Sequence, residues 1–399
     1  MLKVGIFLRA REEMGGTLQY NMAVLAAATL LPGDRYQVVV ASAGDYWRQW
    51  LQPGGLEHVQ LGNTLVSRAS AELWGRLRLP VSVWRALAPY WHPLTRIFRR
   101  QGCDVWIFPS QDSMAYWIPV TSICAIHDLM HRYEPEFEES AAPALYKARE
   151  FLYGNLSRWC AGILVDSPTG VAHMAESYGT DRNRIHSLPF IPPDYIYRTV
   201  TNNDRQTLRE KYRLPEKFFF YPAQFWKHKN HEVLVRGLHR NLADHPDMRL
   251  VFCGGSKNNY DFITGLIGEL GLENNIQIIG YIPDADMTAM YHCAQALLMP
   301  TFYGPTNIPP LEAMACGCPV AVSRIYGMPE QLGDAALYFD PRSVSEVAAV
   351  MTALWSDEAL CRKLRDRGAA RSARWGIGEF SKRLGEIIDN VTGRVRAQQ

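Results

Sequence analysis

No run of about 18 apolar residues occurs in this chain of 399, so no segment reads as a membrane-crossing helix. The first residues, MLKVGIFLRAREEMGG, hold only the five apolar positions Val4–Leu8 before charges begin, which reads as a first strand and not as a signal peptide. No CxxC pair is present. Eight cysteines are scattered, and the one close pair, Cys316 and Cys318, flanks Gly317 without a second ligand pair. That excludes a zinc ribbon or a dithiol redox motif and leaves reduced core thiols, as in a cytosolic protein. No G-x-G-x-x-G follows a strand, which argues against a plain nicotinamide-dependent dehydrogenase. Charge of one sign is not in excess: 42 Lys and Arg against 40 Asp and Glu give a net +2, so nothing points to nucleic acid. Repeats and low-complexity tracts are absent. Asp284-Ala-Asp286 has the look of a metal-binding DxD. It follows Ile282-Pro283 and precedes the helical stretch Met287–Cys293, so an Asp as helix N-cap explains it better.

What is present is apolar content, 47%, enough for two full cores. In the first half Lys3–Leu8, Gln37–Ser42, Val105–Phe108, Ser122–Ile126 and Gly162–Val165 read as strands, with a helix over Thr17–Leu30. In the second half Phe218–Tyr221, Arg249–Cys253, Ile276–Gly280, Ala296–Met299 and Pro319–Ser323 repeat the pattern. Apolar strands alternating with helices imply parallel sheets covered on both faces. The break falls at the Pro-rich Pro189–Pro193. The expectation is α/β: two doubly wound Rossmann-like domains, residues 1–192 and 193–378.

The most informative stretch is Pro300–Pro319, PTFYGPTNIPPLEAMACGCP. A buried strand leads into a polar loop and then into a helix opened by two prolines and closed by a glycine. Strand, loop and helix start together offer backbone N–H groups to an anion. Glu312 in the first turn would repel phosphate and suits a pair of vicinal hydroxyls, such as those of a ribose. Gly15-Gly16 and Gly254-Gly255 each follow a strand, where missing side chains let backbone approach a ligand. His127-Asp128 ends a strand, so the imidazole is placed to bond a hydroxyl or phosphate with Asp128 orienting it; a lone histidine is otherwise a structural residue. Lys229 follows the first strand of the second half and suits a diphosphate, against the plainer reading of a solvated loop beside Lys227 and His228. Asn230 reads as the cap of the next helix.

Arg68–Arg100 is a basic aromatic segment with seven arginines, one acid (Glu72), and Trp74, Trp84, Tyr90 and Trp91 interleaved. Two readings stand: a surface for anionic lipid head groups, or a helical excursion whose tryptophans pack inward.

Taken in order, the N-terminal GG, IHDLMHRYEPEF, ILVDSPTGVAHMAESYG, YPAQFWKHKNH, VFCGG, IIGYIPDADMTAMYHCA, PTFYGPTNIPPLEAMACGCPVAVS and MPEQLGDAALYFDP resemble the retaining family-4 glycosyltransferases of the two-domain GT-B fold. The resemblance spans nearly the whole chain and implies that a C-terminal helix, residues 379–399, packs back on the first domain. It implies a cleft enzyme that moves a hexose or deoxyhexose from a nucleotide-diphosphate sugar to a glycan or lipid-linked glycan in bacterial surface polysaccharide synthesis. The look of YPAQFWKHKNH and FYGPTN suggests GDP-mannose as donor, with no other cofactor and no metal, and a location in the cytoplasm or at the inner membrane face. Catalytic roles fall to His127, Asp128 and Lys229. Donor binding falls to Gly15, Gly16, Gln224, Lys229, Gly254, Tyr281, Gly304, Thr306, Asn307, Ile308 and Glu312. Two positions depart from the family pattern: Gly304 stands where the first glutamate of a pair is expected, and Gln224 where a basic partner of Lys229 is expected. A subgroup with Asn307, Thr306 or Lys227 as substitutes accounts for this. The alternatives are an epimerase-like GT-B enzyme and a silent nucleotide-sugar-binding partner subunit.

Overall fold

The computed structural model describes residues 1–11, 14–51, 56–61 and 80–398. Thirteen strands are described: β1 (Leu2–Leu8), β2 (Tyr36–Ala43), β3 (Glu57–Leu61), β4 (Val105–Phe108), β5 (Ser122–Ala125), β6 (Gly162–Val165), β7 (Ile185–Ser187), β8 (Phe219–Pro222), β9 (Leu250–Cys253), β10 (Ile276–Ile278), β11 (Ala296–Met299), β12 (Val320–Ser323) and β13 (Ala336–Phe339). They form a seven-stranded sheet in the order β3-β2-β1-β4-β5-β6-β7 and a six-stranded sheet in the order β10-β9-β8-β11-β12-β13. Every pairing is parallel. The central strands are continuous apolar runs because helices cover both of their faces, as all-parallel sheets require. Each sheet is therefore a doubly wound, Rossmann-like layer.

The chain divides into two compact units. The first comprises 1–129, 144–189 and 377–399, and the second 130–143 and 190–376. Residues 130–143 thus group with the second unit although the sequence places them within 1–192. In the first unit Gly5 on β1 lies opposite Trp106 on β4, and a Cβ at Gly5 would fall 2.3 Å from the indole. Only glycine lets that ring cross the strand pair. The C-terminal helix Ile377–Gln398 packs on this unit: Tyr36 donates its hydroxyl to Asp389 at 2.8 Å, and Ser381 donates to the Ala27 carbonyl at 2.7 Å. The second unit is built on a core of Phe218, Phe219, Phe220, Leu250, Leu297, Leu298 and their neighbours, all buried.

In a doubly wound sheet the strand order reverses at one place, and the loops at the carboxyl ends of the two strands there diverge to leave room for a ligand. The reversal falls between β1 and β4 in the first unit and between β8 and β11 in the second. All eight cysteines are free thiols, and seven are buried.

Candidate functional site

In the second unit the loops leaving β8 and β11 are bound to each other. Lys229 closes the short turn Lys227–Lys229, and the residues on either side of it make the ties. The His228 carbonyl accepts the Phe302 N–H at 2.9 Å, and its imidazole stacks on Tyr303 with ring centres 3.9 Å apart. Asn230 is buried with φ at +57°, a conformation that asparagine tolerates. Its side chain does not cap the following helix, as the sequence suggests, but donates to the carbonyls of Pro300 (3.1 Å) and Pro341 (2.8 Å). The demand for donors at these buried carbonyls outweighs the cap.

Gly254, after β9, presses on the same turn. With φ at +145°, its missing Cβ would sit 2.3 Å from the Ala223 carbonyl oxygen. Gln224 is exposed and accepts the Trp226 indole N–H at 2.9 Å. Lys227 is exposed, and its backbone N–H reaches Asn258. Tyr281, beyond β10, is 78% exposed.

The Gly304–Ile308 loop explains one departure from the family pattern. Gly304 has φ of +91°, and a Cβ there would lie 2.8 Å from the Thr306 carbonyl and 2.9 Å from Asn307 Nδ2. A glutamate does not fit this loop. Asn307 is held by Gln331: its N–H reaches Gln331 Oε1 at 3.0 Å, and its carbonyl accepts Gln331 Nε2 at 2.8 Å. The Asn307 backbone N–H, in a loop expected to bind the donor, is therefore already bonded. The helix that follows, Pro309–Ala315, begins with two prolines that carry no N–H, and the N–H groups of Leu311 and Glu312 both turn to the Ile308 carbonyl. The helix start offers fewer donors than its sequence suggests. Thr306 and Ile308 are buried.

Glu312 is 4% exposed. One carboxylate oxygen accepts the Tyr195 hydroxyl at 2.8 Å and the other the Tyr291 hydroxyl at 2.7 Å. Burial raises its pKa, while the two tyrosines work the other way. The oxygens expected to meet sugar hydroxyls are thus each already bonded once, and each keeps a further lone pair.

Glu139, a residue with no signal in the sequence, accepts both the backbone N–H and the Nδ1–H of His228, each at 2.9 Å. Burial alone would raise its pKa, but these bonds bring it down to about 2. Its other oxygen accepts Asn258 Nδ2. Nearby, Glu134 accepts the Tyr326 hydroxyl, and Arg342 reaches both Glu134 and Glu136 at 3.3 Å. These contacts fix 130–143 on the second unit.

Neither Asp284 nor Asp286 is an N-cap. Pro283 takes that position, and both aspartates lie in the first turn of the helix Asp284–Cys293. Asp286 accepts from Lys211 (2.6 Å) and Tyr212 (2.7 Å). Among the described residues no cluster of His, Cys, Asp and Glu could hold a metal ion.

In the first unit Gly15 (φ +48°) precedes the helix Gly16–Thr29, and both glycines are exposed. His127 follows β5. Its ring meets Tyr20 edge-on at 4.8 Å. Burial pulls its pKa down to about 4, against the pull of Asp128 and a hydrogen bond to the Pro109 backbone, so it is neutral at pH 7. Asp128 reaches Arg149 at 3.8 Å, and the His127 ring also faces Tyr20 and bonds to the Pro109 backbone. Beside His127, at the carboxyl ends of the strands, lies a cavity of about 1080 Å³ lined by Arg9, Arg11, Asp112, Trp117 and others.

Part of the basic aromatic segment, with Arg68, Trp74, Arg76 and Arg78, lies outside the described residues. Trp84 is buried, and Arg85 turns inward to the carbonyls of Tyr116 and Ile118. Val83, Leu87 and Tyr90 on the helix Val81–Trp91 are exposed.

Residues 204–371 match the family described as Glycosyl transferases group 1. This part of the chain is similar to a group 1 glycosyltransferase domain. Lys229, Gly254, the Gly304–Ile308 loop and Glu312 all belong to it. The chain is 35% identical over 185 residues to the O-antigen chain mannosyltransferase B of Escherichia coli, covering 45% of this chain and 47% of that protein. It is 26% identical over 277 residues to the serotype-specific mannosyltransferase WbdA of the same species, covering 65% of this chain and 32% of that protein. The chain spans about a third to a half of the length of the curated relatives it matches. In fold it is similar to Anabaena HepE, solved in complex with UDP-glucose, with a TM-score of 0.73 at 15% identity over 98% of this chain and all of that one. The matched segment accordingly lies in the second of two Rossmann-like units, and the fold is of the GT-B type.

Proposed function

We propose that the protein transfers a hexose from a nucleoside-diphosphate sugar to a glycan acceptor in surface polysaccharide synthesis, with retention and without a metal. The observation that carries this is Lys229. It stands on a turn bound to the loop after β11, at the strand-order reversal of the second unit. An ammonium there meets charge that builds on a departing diphosphate, where preorganised donors contribute most. The mannosyltransferase relatives favour mannose as the sugar. With glycine at 304, that position supplies no carboxylate nucleophile. The acceptor hydroxyl then attacks from the side the diphosphate leaves, and its proton passes to a phosphate oxygen. Neutral His127 bonds a hydroxyl without adding charge.

Val83, Leu87 and Tyr90, spaced on one helical face, with Arg96, Arg99 and Arg100 exposed on the next helix, support contact with an anionic lipid surface. Such contact would suit a lipid-linked acceptor.

The test is release of free nucleoside diphosphate from a panel of nucleotide sugars, GDP-mannose first, with and without a glycan acceptor. Release only when donor and acceptor are both present is expected. Product formation with epimerised donor and no acceptor, or binding with no turnover on any acceptor, would overturn the reading.

A further inference from the structure

The cavity in the first unit has an apolar floor and a cationic rim. Phe7 and Trp117 are nearly buried beneath it, and Arg9 and Arg11 are exposed along it. The strand end that carries the two arginines is held in place: the Trp47 indole N–H, from a fully buried side chain, donates to the Ala10 carbonyl at 3.1 Å. Asp112 is the cavity's carboxylate, and both of its oxygens are engaged. Oδ1 accepts the Met114 N–H at 2.8 Å, and Oδ2 accepts Arg9 Nη1 at 3.1 Å. Arg9 keeps further guanidinium donors, with 60% of its side chain exposed. The two imidazoles on the wall, His92 and His127, are both held near pKa 4 by burial and add no charge at neutral pH. Among the described lining residues two guanidinium groups therefore stand against one carboxylate.

We propose that this cavity receives the acceptor and selects one that carries a phosphate group, held between Arg9 and Arg11 with its sugar ring over the apolar floor. The two guanidinium groups offer more directed donors than the two oxygens of a carboxylate can use, whereas a phosphate matches them. A cavity of about 1080 Å³ has room for more than one sugar ring. The phosphate could belong to a soluble sugar phosphate or to the pyrophosphate of a lipid-linked sugar. The assignment rests on the glycosyl-transfer reading, but binding can be measured without turnover.

Calorimetric titration of the full chain with mannose 6-phosphate and with methyl α-mannoside reads the selection, and a polyprenyl-pyrophosphoryl sugar in detergent micelles distinguishes the lipid source. The phosphorylated sugar should bind about tenfold more tightly than the neutral one. Arg11→Ala, at an exposed side chain, should abolish that preference and leave the unfolding temperature unchanged; Arg9→Lys should reduce it. Lys229→Ala should leave the preference intact, which separates this cavity from a phosphate seat in the other unit. Equal affinity for the two sugars, or an unchanged preference in Arg11→Ala, would overturn the proposal even if transfer to a neutral acceptor is observed. Conversely, a preference lost only in Arg11→Ala would uphold it even in a protein that shows no transfer.

Discussion

The two units share one architecture and treat their loops in opposite ways. In the second, the residues around Lys229 are tied before any ligand arrives: Asn230 to two carbonyls, Asn307 to Gln331, His228 to Glu139, Glu312 to two tyrosines. In the first, the strand ends surround an open cavity with exposed arginines. The contrast matches the chemistry proposed for each. A group that must stabilise a developing charge gains from being fixed in advance, because no reorganisation is then needed in the transition state. A pocket that selects a partner can leave its charged rim to water until the partner arrives.

The sharpest way to break this contrast is Lys229→Ala. Loss of the ammonium should lower transfer by about a thousandfold, with unchanged circular dichroism and melting temperature. A fall of less than tenfold would remove the fixed turn from the catalytic account. Next is Glu312→Ala, which takes the acceptor from one buried hydroxyl, on Tyr291, and one part-buried hydroxyl, on Tyr195. At about 1–3 kcal/mol for each orphaned group, stability should fall by roughly 3 kcal/mol, seen as a lower denaturation midpoint in urea. Glu312→Gln keeps an acceptor for the tyrosines and is the variant for reading donor affinity. An unchanged midpoint in Glu312→Ala would show that those bonds are not made in solution.

The smallest effect is expected at Glu139. Its pKa is lowered on folding, so the stability it contributes is present above the ordinary carboxyl value near 4.5 and is lost as pH falls from there toward 2. The part of the acid destabilisation due to this residue should be missing in Glu139→Gln. Parallel unfolding curves for the two proteins between pH 5 and pH 2 would contradict the bond pattern at His228.

Apart from β10, the strands that the sequence reveals are the interior ones. β4, β6 and β11 are fully buried runs of four residues, and their limits are legible from apolar pattern alone. β3, β7 and β13 were not read from the sequence, and each lies at the edge of its sheet. An edge strand is partly solvated and mixes polar with apolar residues, as in Glu57–Leu61, so it lacks the signal that marks a buried one. The site follows the same logic. Lys229, Gly254 and His127 could be named because each follows a legible strand. The partners of Asn307, Glu312 and His228 could not, since Gln331, Tyr195 and Glu139 lie 24, 117 and 89 residues from the groups they bind, and nothing local couples them.

The division of the chain into units has a practical consequence. The polypeptide passes from one to the other after residues 129, 143, 189 and 376. No single cut releases either half intact. A chimaera that swaps donor specificity between relatives would have to carry residues 130–143 along with 190–376, or the transplanted half would arrive without Glu139 and Glu134.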